Sequence, residues 1–401
     1  MVIRPLYLDD PSEFELAAYP LFADSGWNRA GSEPIIHASN DAQAVQEFLD
    51  HLREKSETTR ATYAKEIERL LLWCIHEAGQ TVTALKETDF RRYRRFMLKP
   101  PKRWCDSVRK KNQRRRRDGE LNPDWRPFAG ALSENSVAKA ERALSSFFGY
   151  LTKKRYADVN PMPRITRQER PRFRDRHLPR ETLVRALAIL QERDRVTGDP
   201  GVNNAQLRAC FLLQLYFYLG LRLSEAANHR MGHFYCEKDH GDDIWFLRVT
   251  GKGNKIRDIP VPDAFLRILA EFRGRLGLRT QLPTIGESTA LVPKLNKDGS
   301  FDSVTPVTAR RVSTIVQDAF NKAAALLEAR NQRDDAEHAA RLRQASSHWV
   351  RHTYGTSMVD SGMPLTDVRD NLGHASVVTT EIYLHDDQRE RHRRSRSHKL
   401  G

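Results

Sequence analysis

Apolar positions recur at helical spacing along most of the chain. Val45, Phe48, Leu49 and Leu52 form one stripe; Tyr63, Ile67, Leu70, Leu71 and Cys74 form a second that starts after Thr58-Thr59; Val137, Ala140, Leu144, Phe148 and Leu151 form a third. From Ala205 to Leu219 nearly every residue is apolar, the pattern of a helix buried on all sides. Gly220 ends that helix and Ser224 can cap the next, which pins Leu221-Arg222-Leu223 in a tight corner. The pattern changes at Ile244–Thr250 and Ile256–Val261, two β-type runs flanking Gly251-Lys252-Gly253-Asn254-Lys255, and predicts a hairpin with a Gly-Asn turn near its tip. Ala264–Leu276 and Val312–Leu327 are amphipathic packing helices, and the charged stretch Asn331–Arg343 is expected to be a solvated helix.

These elements give a mainly α chain with one small antiparallel β-hairpin or sheet. At 401 residues the chain exceeds one ordinary core, so two domains are expected. Residues 1–40, where acidic residues outnumber basic ones, are read as a leader without a DNA-binding arm. Residues 41–160 form a helical domain and 161–177 a basic, Pro-punctuated linker. Residues 178–390 form a second domain, and 391–401 a basic tail.

Charge narrows the class. The formal net charge is +15 with 67 Lys and Arg. The excess is local: Arg91, Arg92, Arg94 and Arg95, then Lys102 and Arg103, Arg109, Lys110 and Lys111, and Arg114, Arg115, Arg116 and Arg117, within a basic insertion spanning roughly 99–130. Tyr93, Trp104 and Trp125 interleave with this run. A solvated loop would account for some of it, but the density favours phosphate contacts and so a nucleic-acid partner. No apolar run is long enough to span a bilayer and the N-terminus has no signal-peptide pattern, which points to the cytoplasm and away from a membrane. Cys74, Cys105, Cys210 and Cys236 lack zinc spacing and read as reduced packing residues. The pattern GxxxxGK[ST] is absent, which excludes a P-loop.

The chemistry concentrates between Ser346 and His385. On a helix opened by Ser346 or Ser347, His348, Arg351 and His352 share one face at i, i+3 and i+4. Gly362 and Pro364 end it, Thr366 can cap a second short helix, and Gly373 ends that, leaving His374 at a helix exit. Ser376 can then cap a third, carrying Tyr383. Two imidazoles, a guanidinium and a phenol suit a phosphodiester better than a metal, and no metal or cofactor is expected.

Taken together, Gly220-Leu221-Arg222-Leu223-Ser224-Glu225, Gly251-Lys252-Gly253-Asn254-Lys255, His348-x-x-Arg351-His352, Leu372-Gly373-His374 and Tyr383 resemble a tyrosine recombinase of the phage integrase class. The likeness spans the second domain and, more faintly, the helical first domain, which is similar to the family's core-binding domain. It implies a clamp of a core-binding and a catalytic domain around double-stranded DNA that carries inverted-repeat core sites. It also implies synapsis with other copies of the chain. By the same resemblance Tyr383 is the nucleophile that forms a 3′-phosphotyrosyl link, and Arg222 and Arg351 hold the non-bridging oxygens. Lys252 is the general acid, with Lys255 its near rival; His348 assists proton transfer, and His374 donates a hydrogen bond to the phosphate. Three departures stand out: Val350 where the family often has Leu, insertions around Arg114–Arg117 and before His348, and a polar tail after Tyr383. Rival readings are a DNA-binding protein without catalysis, a metal-dependent transposase or nuclease, and a type IB topoisomerase activity.

Overall fold

The computed structural model describes residues 3–6, 8, 19–23, 25–106, 114, 120, 122–163, 177–197, 200–279, 281–374 and 376–380. The chain divides into two compact units, Met1–Glu169 and Arg170–Gly401. Most of the expected linker (164–176) and all of the tail lie outside the described residues.

The first unit is built on four helices: α1 (Asp41–His51), α2 (Glu57–Trp73), α3 (Glu87–Leu98) and α4 (Glu134–Lys153). Asn40, Ser56 and Ser133 cap α1, α2 and α4 through side-chain oxygens that accept from backbone N–H groups three residues on. The second helix is therefore capped by Ser56 and starts at Glu57 rather than after Thr58-Thr59. The three stripes meet in one core, where Val45, Phe48, Ile67, Leu70, Leu71, Val137, Leu144, Phe148 and Leu151 are buried and Phe48 meets Phe147 edge-on at 5.2 Å. The start of α1 is fixed by Asp41, buried at the helix N-terminus. Its carboxylate accepts from Thr83 N (2.9 Å) and from the Tyr156 hydroxyl (2.8 Å).

The described residues of the stretch 1–40 pack on the first unit. Ile3, Leu6, Leu8 and Phe22 are buried in the same core, and Leu6 N donates to Glu68 Oε1 at 2.7 Å. Asn28 and Val159 exchange two hydrogen bonds, tying this segment to the end of the unit.

The second unit packs α5 (Arg180–Thr197), α6 (Pro200–Leu219), α8 (Asp263–Arg275) and α9 (Ala309–Arg330) around one core, where Phe211 of α6 stacks on Phe272 of α8 at 3.9 Å. The short α7 (Leu223–Asn228) leads into β1 (Phe234–Asp239), β2 (Asp242–Thr250) and β3 (Ile256–Pro260), an antiparallel sheet in the order β1-β2-β3. Phe246 pairs with Pro260 and Thr250 with Ile256, so the β2–β3 turn is Gly251-Lys252-Gly253-Asn254-Lys255. Gly253 and Asn254 adopt positive φ there, the conformation a tight turn requires. A second ribbon, β4 (Pro293–Leu295) with β5 (Phe301–Pro306), precedes α9.

The chain then runs through α10 (Asp335–Gln344), α11 (Ser347–Asp360), α12 (Leu365–Leu372) and the short α13 (Val377–Thr380). The region before α11 is not a solvated helix throughout: Asp335, Ala339 and Leu342 are buried, and Asp335 is held by Arg330 (2.9 Å). Thr366 does not cap α12, because Pro364 occupies the cap and Thr366 Oγ1 donates to Asp367 Oδ1 instead. Among the described residues no helix is long and apolar enough to cross a membrane.

Candidate active site

The site begins at the corner after α6. Gly220 has φ +56°, and a Cβ there would lie 2.5 Å from Tyr354 Cδ1 of α11. Glycine is therefore required twice, for the backbone and for the ring that packs on it. The corner delivers Arg222 to the cap position of α7. Ser224 lies inside α7, and the cap is made by the Glu225 carboxylate, which accepts from Arg222 N at 2.7 Å. Burial pushes the Glu225 carboxyl up, but the hydrogen bonds and charges of Arg257 and Arg222 outweigh it and bring the group down to about 2.

Two guanidiniums grip the ends of these helices. Arg351 of α11 is buried and donates to the carbonyls of Gly220 and Leu372. Arg222 donates to Glu225 Oε1 (3.0 Å) and to the Gly373 carbonyl, with its side chain still 32% exposed. As a bare helix cap it would be satisfied by these contacts; the open third of its side chain leaves donors for a ligand. Gly373 ends α12 with φ +61° and sets His374 beside this pair.

The imidazoles complete the cluster. His348 and His352 bring their Nε2 atoms to 3.0 Å, and His374 Nδ1 lies 3.0 Å from Thr380 Oγ1. Burial, then the charges of Arg351 and Arg222 and of His348, lower His374 to about 4. Burial, then His348, Arg351 and His374, lower His352 to about 3. These mutual effects arise only when the groups share one electrostatic neighbourhood. Arg222, Arg351, His348 and His374 are thus brought together, on residues from three separate stretches. Both histidines with lowered values are neutral at pH 7 and able to donate or accept.

Lys252 sits in the β2–β3 turn, and its side chain is not among the described ones; Lys255 is exposed beside it. Tyr383 and His385 lie outside the described residues.

Glu225 and Arg257 have no role assigned by helical spacing. Arg257 donates to both Glu225 oxygens, at 2.9 and 2.8 Å, and through Nε to Asn371 O at 2.9 Å. The three-residue interval from Arg222 to Glu225, placing both on one helix face, was the available signal for the carboxylate. Arg257 left none.

The basic section of the first unit is more heterogeneous than its density suggested. Tyr93, Trp104 and Trp125 are buried, so they are core residues and present no face to a base. Arg94 is spent on Glu134 and Glu141, Arg103 pairs with Glu77, and Arg114 with Glu68. Arg91 pairs with Glu87 on the surface of α3, and Arg92 lies over Trp73. Arg95 and Lys102 are exposed. Arg109, Lys110, Lys111, Arg115, Arg116 and Arg117 lie outside the described residues. Among the described residues no group of three His, Cys, Asp or Glu could hold a metal ion. All four cysteines are thiols; Cys74 and Cys210 are buried, whereas Cys236 is exposed on β1 and is no packing residue.

A mostly helical unit with a small antiparallel sheet, whose helix ends converge two guanidiniums and several imidazoles, has the form of a phosphodiester strand-transfer site. Residues 181–390 match the family model described as Phage integrase family, and the chain belongs to that family. Members of this family are DNA strand-transferring enzymes, and this chain is one of them. It is 26% identical over 353 residues to the tyrosine recombinase XerD of Chlorobaculum tepidum, covering 86% of this chain and 92% of that one. With a tyrosine recombinase of Thermosipho africanus it shares 24% identity over 352 residues, 87% of this chain and 96% of the other. In fold it resembles the Tn1549 transposon integrase solved with transposon right end DNA, with TM-score 0.54 and 14% identity over 88% of this chain and 97% of that one. It also resembles the XerH site-specific recombinase bound to difH substrate, with TM-score 0.50 and 18% identity over 89% and 84%.

Proposed function

We propose that the chain cleaves and rejoins double-stranded DNA at specific sites through a covalent link between Tyr383 and a 3′-phosphate. The observation that carries this reading is the convergence of Arg222, Arg351, His348 and His374 at the ends of α6, α11 and α12. Tyr383 Oη attacks the scissile phosphorus, loses its proton to a neighbouring base, and displaces the 5′-oxygen, which leaves as a hydroxyl after accepting a proton. A phenol has a reference pKa of about 10, so attack requires both a proton acceptor and positive charge nearby. His348 supports the first proton transfer. Lys252, or Lys255 beside it, supplies the proton to the leaving oxygen. Arg222 and Arg351 stabilise the charge on the non-bridging oxygens, and His374 donates to one of them.

The phosphotyrosyl bond keeps the free energy of a phosphodiester, so a 5′-hydroxyl from another strand reverses the attack without ATP or a metal ion. The partners in this reading are duplex DNA with inverted-repeat core sites and other copies of the chain in a tetrameric synaptic complex, in the cytoplasm. The helical stretch 41–160 grips the duplex, with Arg91, Arg92, Arg95 and Lys102 among its phosphate contacts, and the stretch 178–390 carries the chemistry. That the XerH recombinase is solved bound to difH substrate and the Tn1549 integrase with transposon right end DNA supports a duplex DNA partner. The test is incubation with nicked duplexes carrying candidate sites, with and without EDTA, on a denaturing gel. A protein-linked DNA band that survives EDTA is expected; cleavage that disappears with EDTA would favour a metal-dependent nuclease.

A further inference from the structure

Arg257 is placed to do something the recombinase reading does not assign. Its guanidinium sits on β3, 12% exposed, and all three of its nitrogens are taken by protein: Nη1 and Nη2 by Glu225, Nε by Asn371 O. Three of its five N–H donors are thus committed to protein and the side chain is largely enclosed, which places its main effect on those neighbours. Those neighbours belong to three elements. Glu225 lies one turn after Arg222 on α7, Asn371 lies in the last turn of α12 just before His374, and β3 is the strand that leaves the turn bearing Lys252.

The fit leaves no slack at either end. A Cβ on Gly373 would lie 3.1 Å from both Arg257 Cζ and Arg222 Nη1. A Cβ on Gly251, the residue that opens the turn, would lie 3.2 Å from Arg257 Nη1 and 3.3 Å from Glu225 Oε1. We infer that Arg257 is a positioning residue that sets the β2–β3 turn, and with it the lysine that protonates the leaving oxygen, against the Arg222 and His374 cluster. This inference rests on the recombinase reading. A fork that binds one carboxylate bidentately and one carbonyl fixes orientation as well as distance, which a lysine ammonium cannot do.

The test compares wild type with Arg257→Lys on two nicked substrates, one natural and one in which the 5′-bridging oxygen at the scissile phosphate is sulfur. The thiolate leaves with its electron pair and needs no proton. Arg257→Lys is expected to bind DNA within about 3-fold of wild type while cleaving the natural substrate about 10- to 100-fold more slowly, the cost of a small misplacement. On the sulfur substrate that deficit should shrink to within about 3-fold. A deficit of equal size on both substrates would overturn the inference, because it would place the defect in the phosphate clamp or in folding. Gly251→Ala pushes on the same turn from the other side and should give the same substrate-dependent deficit, which keeps the test decisive if Arg257→Lys does not fold. Wild type that forms no covalent adduct with either substrate would sink the recombinase reading itself, and this inference with it.

Discussion

Replacing Glu225 by Gln isolates the charge that holds the corner together. The carboxylate is 2% exposed and accepts from Arg222 N, Arg222 Nη1 and both Nη atoms of Arg257. Its value falls from an ordinary 4.5 to about 2, despite burial pushing it up, because Arg257 and Arg222 favour the ionised form. A carboxyl lowered in the folded state contributes stability that is complete above its unfolded value and is lost as pH falls through the folded one. At about 1.4 kcal/mol per pKa unit, the contribution is about 3 kcal/mol at pH 7 and about half that at pH 3. Glutamine keeps the shape and removes the charge, leaving the 12% exposed Arg257 and the 32% exposed Arg222 opposite an amide, for which the roughly 3–5 kcal/mol cost of breaking a fully buried pair is an upper bound. Urea denaturation at both pH values is the assay. With a slope of roughly 1–3 kcal/mol per molar, the midpoint of the second unit should drop by roughly 1–3 M at pH 7, and the gap between variants should narrow at pH 3. Midpoints at pH 7 that differ by less than about 0.3 M would refute the view that this carboxylate carries the corner.

Other expectations follow from the same geometry. His374 is lowered to about 4 chiefly by burial and by Arg351 and Arg222, so a phosphate that offsets those charges should raise it and DNA binding should take up protons near pH 5–6. Affinity measured at fixed salt should then strengthen as pH falls from 7 to 5, and His374→Gln should flatten that trend; a wild-type affinity that ignores pH would contradict it. Because Arg94 is already paired with Glu134 and Glu141, Arg94→Gln should leave the salt dependence of DNA binding unchanged, whereas Arg95→Gln or Lys102→Gln should reduce the log–log slope by about 1. Equal slopes for all three variants would remove these two side chains from the phosphate contacts.

What could be seen in the chain beforehand follows the range of the interactions. The stripe of Val137, Ala140, Leu144, Phe148 and Leu151, and the shared face of His348, Arg351 and His352, are set by neighbours within one or two helical turns and were legible as spacing. Strand β1 was not, since only Phe234 is buried and its other residues are half-buried or exposed, so no alternation marks it. The N-terminal segment hides its contribution in isolated apolar residues, Ile3, Leu6, Leu8 and Phe22, among acidic ones. Charge density along the chain says nothing about which side chains face inward. That is why Tyr93, Trp104 and Trp125 read as a binding surface and turned out to be core, and why the carboxylates that neutralise Arg94, 40 and 47 positions away, went unnoticed. The Glu225–Arg257 pair, 32 positions apart, belongs to the same class of long-range contact.

The most direct measurement is to trap the protein on a nicked duplex, digest the complex, and identify by mass spectrometry the residue that carries the nucleotide. A 3′-phosphate esterified to Tyr383, and no adduct at all from Tyr383→Phe that still binds the duplex, is the predicted result. An adduct on any other side chain, or one that forms undiminished in Tyr383→Phe, would contradict it.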